Sequence, residues 1–340
     1  MDKVGLNTPK KQHYVPQFLL RNFSYGRKYK IFTFDKARAI SFGASVINSA
    51  SENGFYNLKI DGEAHTLEHK LSKLESICGE VVKRICRDES LESITHNDHI
   101  ILCVFVTNIL LRVKKQRESF WQLNTGIAEW LQNMGLDPNE VNNFEFLERE
   151  DVNKQHVQFT DENVLEFSKN FYEKPIALFK APNGSNFIIS DNPVVMHNHW
   201  PRKFRGNKGV SVPGVEIQIP LSNKLCLSFI CPLLFADLKE KLEFLANHRA
   251  QHFPIDNIDT SYAETLISSI KEGKAMELKE ESVNFINSLQ ITDSLNYIYS
   301  DKNDFQLAKE MICAELAGDF HLGYARQLTD KSSLLFDLAF

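Results

Sequence analysis

The sequence predicts an α+β protein in which central antiparallel β-hairpins pack against several helices, and three observations carry that expectation. Leu67, Leu71, Leu74, Cys78, Val81 and Ile85 recur at steps of three and four, the spacing of one helical face. The middle of the chain is built from short apolar runs with turn residues between them: IALFKA, PNGS and NFIIS, then VEIQIPL, SNK and LCLSFI. Each pair reads as a β-hairpin. From Phe235 onward, ADLKEKLEFLANHRAQHF and later stretches return to helical spacing, so helices flank the β portion.

Taken in order, residues 1–12 read as a flexible lead-in. In HYVPQFLLRNF, from His13 to Phe23, Pro16 drives Val15 into extended geometry and is tolerated in a first helical turn, so a turn of helix is expected from Gln17. IFTF suggests a strand, and GFYNLKIDGEAH places another before an Asp61-Gly62 turn. The helix of the leucine stripe follows, with Glu68 and Glu75 on its flank. Asn97 is the expected cap of a second helix that runs to Arg112 and the charged KKQRE beyond, its polar end outside the core. Helices joined by loops are expected from Ser119 to Asp161, because Gly135, Pro138 and Asn142-Asn143 interrupt the pattern. HNHWPRKFRGNKGVSVPG reads as a basic, mobile loop. These elements make one α+β domain over residues 13–300, followed by a helical extension over 301–340.

Composition narrows the functions. A chain of 340 residues that is 43% hydrophobic buries a sizeable core. The net charge of -5 supplies no global positive field, so nucleic acid would be met only by a local basic groove. The opening lysines are followed by no apolar stretch, and the most apolar run, Ile100 to Leu111, is far shorter than the roughly 20 residues of a membrane span. A cytoplasmic protein without a membrane segment is therefore expected. Six cysteines without a CxxC pair read as reduced thiols rather than a zinc knuckle or disulfide framework. The P-loop, the dinucleotide fingerprint and the GxSxG elbow are all missing, which argues against P-loop hydrolysis and hydride transfer.

Three polar constellations remain. On a helical turn Gln17 and Arg21 share a face, with His13 brought near through the bend; the competing reading has them pinning the segment to backbone carbonyls. In FIISDNPVV a strand ends in Ser190, Asp191 and Asn192, a common place for catalytic and ligand-binding groups and equally the pattern of an Asx-type turn. Glu68 and Glu75, two helical turns apart, can hold a divalent ion or exchange protons, or can simply be solvated. The pairs His65/His69, His248/His252 and His197/His199 have metal-sharing spacing. With eleven histidines and no HExxH, chance pairing accounts for them.

HYVPQFLLRNF, ASENGFYNL, LEHKLSKLE, FIISDNPVV and IPLSNKLCLSF, in this order, followed by VNFINSLQITDSLNYIYS, resemble an uncharacterised microbial family, domain of unknown function four-two-three-eight, from about residue 13 to about residue 300. The family has no settled activity. The resemblance does place His13, Gln17, Arg21, Asn22, Glu68, Glu75, Ser190, Asp191 and Asn192 in characteristic motifs, which implies that these groups converge. One departure is visible: where relatives tend to show a Gln and then R-T-P, this chain has Ile109 and Arg112-Val113-Lys114, so no role for that Gln carries over.

Two functions follow as expectations. The first is a metal-assisted hydrolase acting on a phosphodiester or nucleotide, with a role in stress or phage defence suggested by the kind of gene rather than by residues. There His13 is the general acid or base, Asp191 with Glu68 or Glu75 holds a divalent metal or orients water, and Arg21 meets the developing anion. Under this reading Asp191→Ala and His13→Ala abolish function at a nearly unchanged melting temperature. The alternative is a non-catalytic module that captures a small anionic ligand or a protein partner. It would use Gln17, Arg21 and Asn192 as donors and the basic stretch from Arg202 to Lys208 as a clamp.

Overall fold

The computed structural model describes residues 1–5, 8–142, 144–200, 208–250 and 259–316. The chain enters through β1 (Asp2–Lys3) and β2 (Lys11–His13), turns through α1 (Gln17–Arg21) and forms an antiparallel hairpin of β3 (Lys30–Asp35) and β4 (Ile40–Ser45). β5 (Ser51–Asn53) pairs with β2, while β6 (Asn57–Ile60) and β7 (Glu63–Thr66) form a second hairpin that takes β1 on its open edge. The segment expected to be a flexible lead-in thus supplies strands to two sheets. At the tip of the second hairpin Asp61 and Gly62 have φ of 50° and 79°, the positive pair that a type I′ turn requires and Asp-Gly accommodates.

Four helices follow: α2 (Glu68–Asp88), α3 (His96–Arg112), α4 (Lys114–Asn133) and α5 (Arg149–Tyr172). In α2 the buried residues are Leu71, Cys78, Val81, Val82 and Ile85. The expected stripe of Leu67, Leu71, Leu74, Cys78, Val81 and Ile85 therefore faces the core, joined by Val82, and Glu68 and Glu75, both half-buried, lie on its flank. Thr95, not Asn97, caps α3: its hydroxyl accepts from the Asp98 N–H at 3.2 Å while the Asp98 carboxylate accepts from the Thr95 N–H at 2.9 Å, a reciprocal capping box. The helix does not run on into KKQRE. Val113 is extended (φ -66°, ψ 156°) and α4 starts afresh at Lys114. The polar end expected outside the core is inside it, since both Arg112 and Arg117 are buried. Each finds a partner that makes burial tolerable: Arg112 meets the Glu75 carboxylate, and Arg117 meets the Phe55 carbonyl at 2.6 Å and lies 3.5 Å above the Phe55 ring.

The second half comprises β8 (Ile176–Lys180), β9 (Ile189–Ser190), β10 (Val195–Asn198), β11 (Val215–Pro220), β12 (Leu225–Phe229), α6 (Pro232–Ala250), α7 (Ser261–Glu272), β13 (Ala275–Glu277), α8 (Glu280–Asp293), β14 (Tyr297–Ser300) and α9 (Gln306–Leu316). The central sheet has the order β10-β11-β12-β8-β13, antiparallel except where β13 lies parallel to β8. β11 and β12 form the expected hairpin. IALFKA and NFIIS do not: β8 pairs with β12 and β13, whereas β9 leaves for the sheet β4-β3-β14-β9. The reason is visible at residues 187 and 188. Phe187 donates its N–H to the Asn223 carbonyl and Ile188 to the Asn287 side chain, so the returning strand is captured before it can zip onto β8.

The result is the expected α+β architecture. One large core joins Val15, Leu19, Leu20 and Phe23 of the N-terminal motif to α2, α3 and the central sheet. A small second core, including Phe34, Ile291, Ile298, Phe305 and Met311, seats α9. Among the described residues no helix is long and apolar enough to cross a membrane.

Candidate functional site

The N-terminal motif is fixed by its polar groups. Gln12, fully buried, accepts from the Tyr56 N–H at 2.6 Å and donates to the Asn57 side chain at 2.8 Å. The Tyr56 hydroxyl donates to the His13 carbonyl. The hydrogen-bond network assigns His13 Nε2 as a donor to the Ile47 carbonyl at 3.1 Å and His13 Nδ1 as an acceptor from Gln17 Nε2 at 3.4 Å. Burial, with smaller contributions from the charges of Arg112 and Lys11, holds the His13 pKa below its usual value against the pull of the Ile47 and Val46 carbonyls. Arg21 reaches Gln17 at 3.2 Å from an exposed position over the Tyr29 ring. Asn22 donates to the Leu221 carbonyl at 2.8 Å, tying the motif to the β11–β12 turn.

Beside this motif α2 and α3 face one another across a polar seam. Phe105, Asn108 and Arg112 lie at steps of three and four on one face of α3. Phe105 packs 5.3 Å from the Phe18 ring of α1, and Arg112 Nη2 donates to Glu75 Oε1 at 2.6 Å. Arg112 is 0% exposed, yet its Nε and Nη1 have no hydrogen-bond partner, and neither has the buried Asn108 Oδ1. Burial works against the guanidinium's charge, and Tyr56, Glu75 and Glu68 together outweigh it, so its pKa stays raised. Glu68 opens α2, where the helix dipole favours an anion. Burial nevertheless pushes its carboxyl up to about 7, with the Glu75 charge adding to the effect and Arg112 opposing it. A buried cation with donors to spare thus faces one carboxylate that pairs with it and one carboxyl that titrates near neutrality.

The strand-end residues are arranged differently. The Asp191 carboxylate accepts three backbone N–H groups, from Leu295 at 2.8 Å, Asn296 at 2.7 Å and Tyr297 at 3.0 Å. Burial raises its pKa against the pull of those donors and of Lys36. Ser190 donates its hydroxyl to Gln290 Oε1 at 2.8 Å, Gln290 Nε2 donates to the Pro193 carbonyl at 2.8 Å, and Asn192 Nδ2 donates to the Asp293 carbonyl at 2.9 Å. One turn earlier on α8, Asn287 brackets the same strand, accepting from the Ile188 N–H and donating to the Asn186 carbonyl. Serine, aspartate and asparagine therefore sew the strand end to α8 and to the turn before β14.

Arg112 pairs with Glu75 and its charge reaches Glu68 and His13, the last bonded to Gln17, while the Asp191 carboxylate is taken up by the turn before β14. The groups whose charge acts on Glu68 are Glu75 and Arg112, while Asp191 is coupled to Lys36, Tyr14 and Tyr299. Both carboxylates of the expected metal pair are thus engaged within the chain, Asp191 by three backbone N–H groups and Glu75 by Arg112. A divalent ion on Glu75 would have to share it with a guanidinium, and no group of three His, Cys, Asp or Glu among the described residues could hold a metal. Glu52 pairs with Lys114. His65 lies 3.9 Å from Glu63 and His69 lies 3.5 Å from Thr8, so the two turn to different partners. His197 packs edge-on to His199, whose Nε2 meets the buried Glu216 at 2.7 Å. The His248 side chain, His252, residues 202–207 of the basic stretch, and 317–340 of the expected extension lie outside the described residues.

Sequence reasoning missed Arg112, Asn108, Tyr56 and Gln12. The available signal was the register of Arg112 with Phe105 and Asn108, which puts a guanidinium on an apolar face. It also missed Asn287 and Gln290, whose partners lie about a hundred residues away in the chain.

An α+β fold whose N-terminal polar motif borders a buried arginine, and whose strand-end motif is stitched to a late helix, defines the class. This chain belongs to the family described as Protein of unknown function (DUF4238), whose sequence profile matches residues 11–304. No curated protein and no solved structure matches it.

Proposed function

We propose that this protein is a hydrolase acting on a phosphodiester or nucleotide at the seam of α1, α2 and α3. In this reading Arg112 receives the anionic group, Glu68 gives and takes the proton, and Glu75 keeps the guanidinium in place. The observation that carries it is the buried guanidinium with unpartnered Nε and Nη1 beside a carboxyl pushed up to about 7. Sealing a cation from water costs several kcal/mol, which a single carboxylate offsets only in part. Spare N–H donors on arginine fit the oxygens of a phosphate, and a carboxyl that titrates near neutrality suits acid–base work. His13, engaged at both ring nitrogens, is a positioning residue here, and Ser190, Asp191 and Asn192 are anchors. The alternative of a non-catalytic module for a small anionic ligand uses the same guanidinium and leaves Glu68 idle.

The test measures turnover of bis(p-nitrophenyl) phosphate and of common nucleotides by the full chain, beside thermal shifts with the same compounds. Wild type should turn over at least one of them, and Glu68→Gln should lower kcat by about 100-fold with little change in melting temperature. Stabilisation by nucleotides without any turnover would mean a binding module. Neither stabilisation nor turnover would remove the seam as the site.

A further inference from the structure

We propose that a second copy of this chain packs on the outer face of α4, forming a two-fold antiparallel helix pair centred between Gly126 and Ile127. The inference is independent of the Arg112 seam. The first half of α4 is tied to the body of the protein: Phe120 packs edge-on against His156 and Phe159 of α5, and Arg149 lies over the Trp121 ring. The second half is held by the chain that returns after it, where Asn124 donates to the Glu145 carbonyl and accepts the Leu147 N–H. Its buried residues Ala128 and Leu131 join neither of the two cores. On the face left open Leu123, Trp130 and Met134 are 66%, 59% and 59% exposed, with Ile127 half-buried between them.

Leu123, Ile127, Trp130 and Met134 follow one another at steps of four, three and four, the seam spacing of a coiled coil. A contiguous exposed apolar stripe marks an interaction surface, and its charge pattern says what covers it. From Ser119 to Leu136 the only charged residue is Glu129, in a chain that is 24% charged. By helical position Glu129 points away from the stripe. A surface this neutral has nothing with which to select an acidic or basic partner. It also lacks the lysines and arginines with which a membrane-surface helix meets lipid. It can, however, face itself without bringing like charges together, which a self-complementary contact requires.

The sequence of α4 fits that pairing level by level. An antiparallel pair centred between Gly126 and Ile127 sets Leu123 opposite the partner's Trp130, Ile127 opposite the partner's Gly126 and Met134 opposite the partner's Ser119. At each level a larger side chain meets a smaller one, and the two-fold axis repeats every contact. A parallel pair would stack Trp130 on the partner's Trp130 and leave Gly126 facing the partner's Gly126. Gly126 is the independent sign of a close neighbour: a Cβ there would meet nothing within 4 Å. The chain's own packing thus gives no reason for a residue that weakens a helix relative to alanine, whereas close approach of a second helix does. Ser119 and Asn133 continue the same small, uncharged row at steps of seven.

The test is sedimentation equilibrium of the full chain at about 10 µM, where the mass should be twice 39.1 kDa. Trp130→Glu should weaken the dimer by at least about 100-fold, as the loss of a central aromatic anchor does. Because Trp130 is exposed, the variant should stay folded, which circular dichroism checks. For the register, Ser119→Cys and Met134→Cys are made separately in a Cys313→Ser background, since Cys313 is exposed. Under copper-phenanthroline oxidation a mixture of the two should cross-link and neither should alone. A monomeric wild type at that concentration overturns the proposal, and if it then co-sediments with phosphatidylcholine vesicles the stripe belongs to a lipid surface. A dimer indifferent to Trp130→Glu overturns it as well. Cross-linking of each variant with itself, without the mixed product, overturns the antiparallel pairing whether or not Trp130→Glu folds.

Discussion

Asp191 and Arg112 are both sealed from solvent, at 1% and 0% exposure; Asp191 belongs to a polar motif that the sequence marks, and Arg112 answers another, through Glu75. They differ in how fully they are answered. Three backbone N–H groups converge on Asp191 within 3.0 Å, so its carboxylate organises the turn before β14 and has little capacity left for a ligand. Arg112 has one carboxylate at 2.6 Å and two nitrogens without a partner. A saturated buried charge is an element of structure, whereas an unsaturated one has capacity for something the protein does not itself supply. The comparison reverses the weight expected of the two motifs: the strand end is tied into the fold, and the glutamate helix faces the unsaturated guanidinium on which the proposed site rests.

The largest effect should come from breaking the saturated side. Asp191→Ala leaves three buried N–H groups without an acceptor, and at about 1–3 kcal/mol for each orphaned donor the loss should be on the order of 4 kcal/mol. Urea denaturation measures it. A loss below about 1 kcal/mol would show that the turn finds other acceptors and would return Asp191 to the list of functional candidates. This reverses the expectation that Asp191→Ala would leave the melting temperature nearly unchanged.

On the unsaturated side, Arg112→Met should cost about 3 kcal/mol by stranding Glu75. The double variant Arg112→Met with Glu75→Gln should recover a good part of that, because no charge is then left unpaired. A double-mutant cycle on urea midpoints checks this. Simple additivity of the two losses would mean that the pair is not coupled and that Arg112 is held by packing alone.

How much of this was legible in the sequence depends on the range of each interaction. The Asp61-Gly62 hairpin and the β11–β12 hairpin were readable because turn chemistry is local. The stripe of α2 was readable, since Leu67, Leu71, Leu74, Cys78, Val81 and Ile85 all pack into the core. What was not readable is the partner of Glu75 on its flank, Arg112 on another helix, which no local pattern contains. The pairing of IALFKA with NFIIS failed for the same reason: both are strands, but Asn223 and Asn287 intercept the second before it can return. SDNPV was correctly seen as a strand end with three polar side chains, and its role turned on Gln290 and the N–H groups of residues 295–297.

The smallest expected effect sharpens the comparison most, because it is a matter of pH. Burial and Glu75 raise the Glu68 pKa from 4.5 to about 7 in the folded protein, so the folded state binds the Glu68 proton more tightly than the unfolded chain does. Stability associated with that proton is fully present below the unfolded value of 4.5 and is lost as pH rises through about 7. Glu68→Gln, which cannot ionise, should therefore be more stable than wild type at pH 8, with the difference shrinking as pH falls and vanishing near the unfolded value. Melting temperatures of the two proteins across that range, at constant ionic strength, give the answer. A difference that does not change with pH would mean that Glu68 is ordinarily solvated, and with it would go the carboxyl that separates a catalytic seam from a merely anion-binding one.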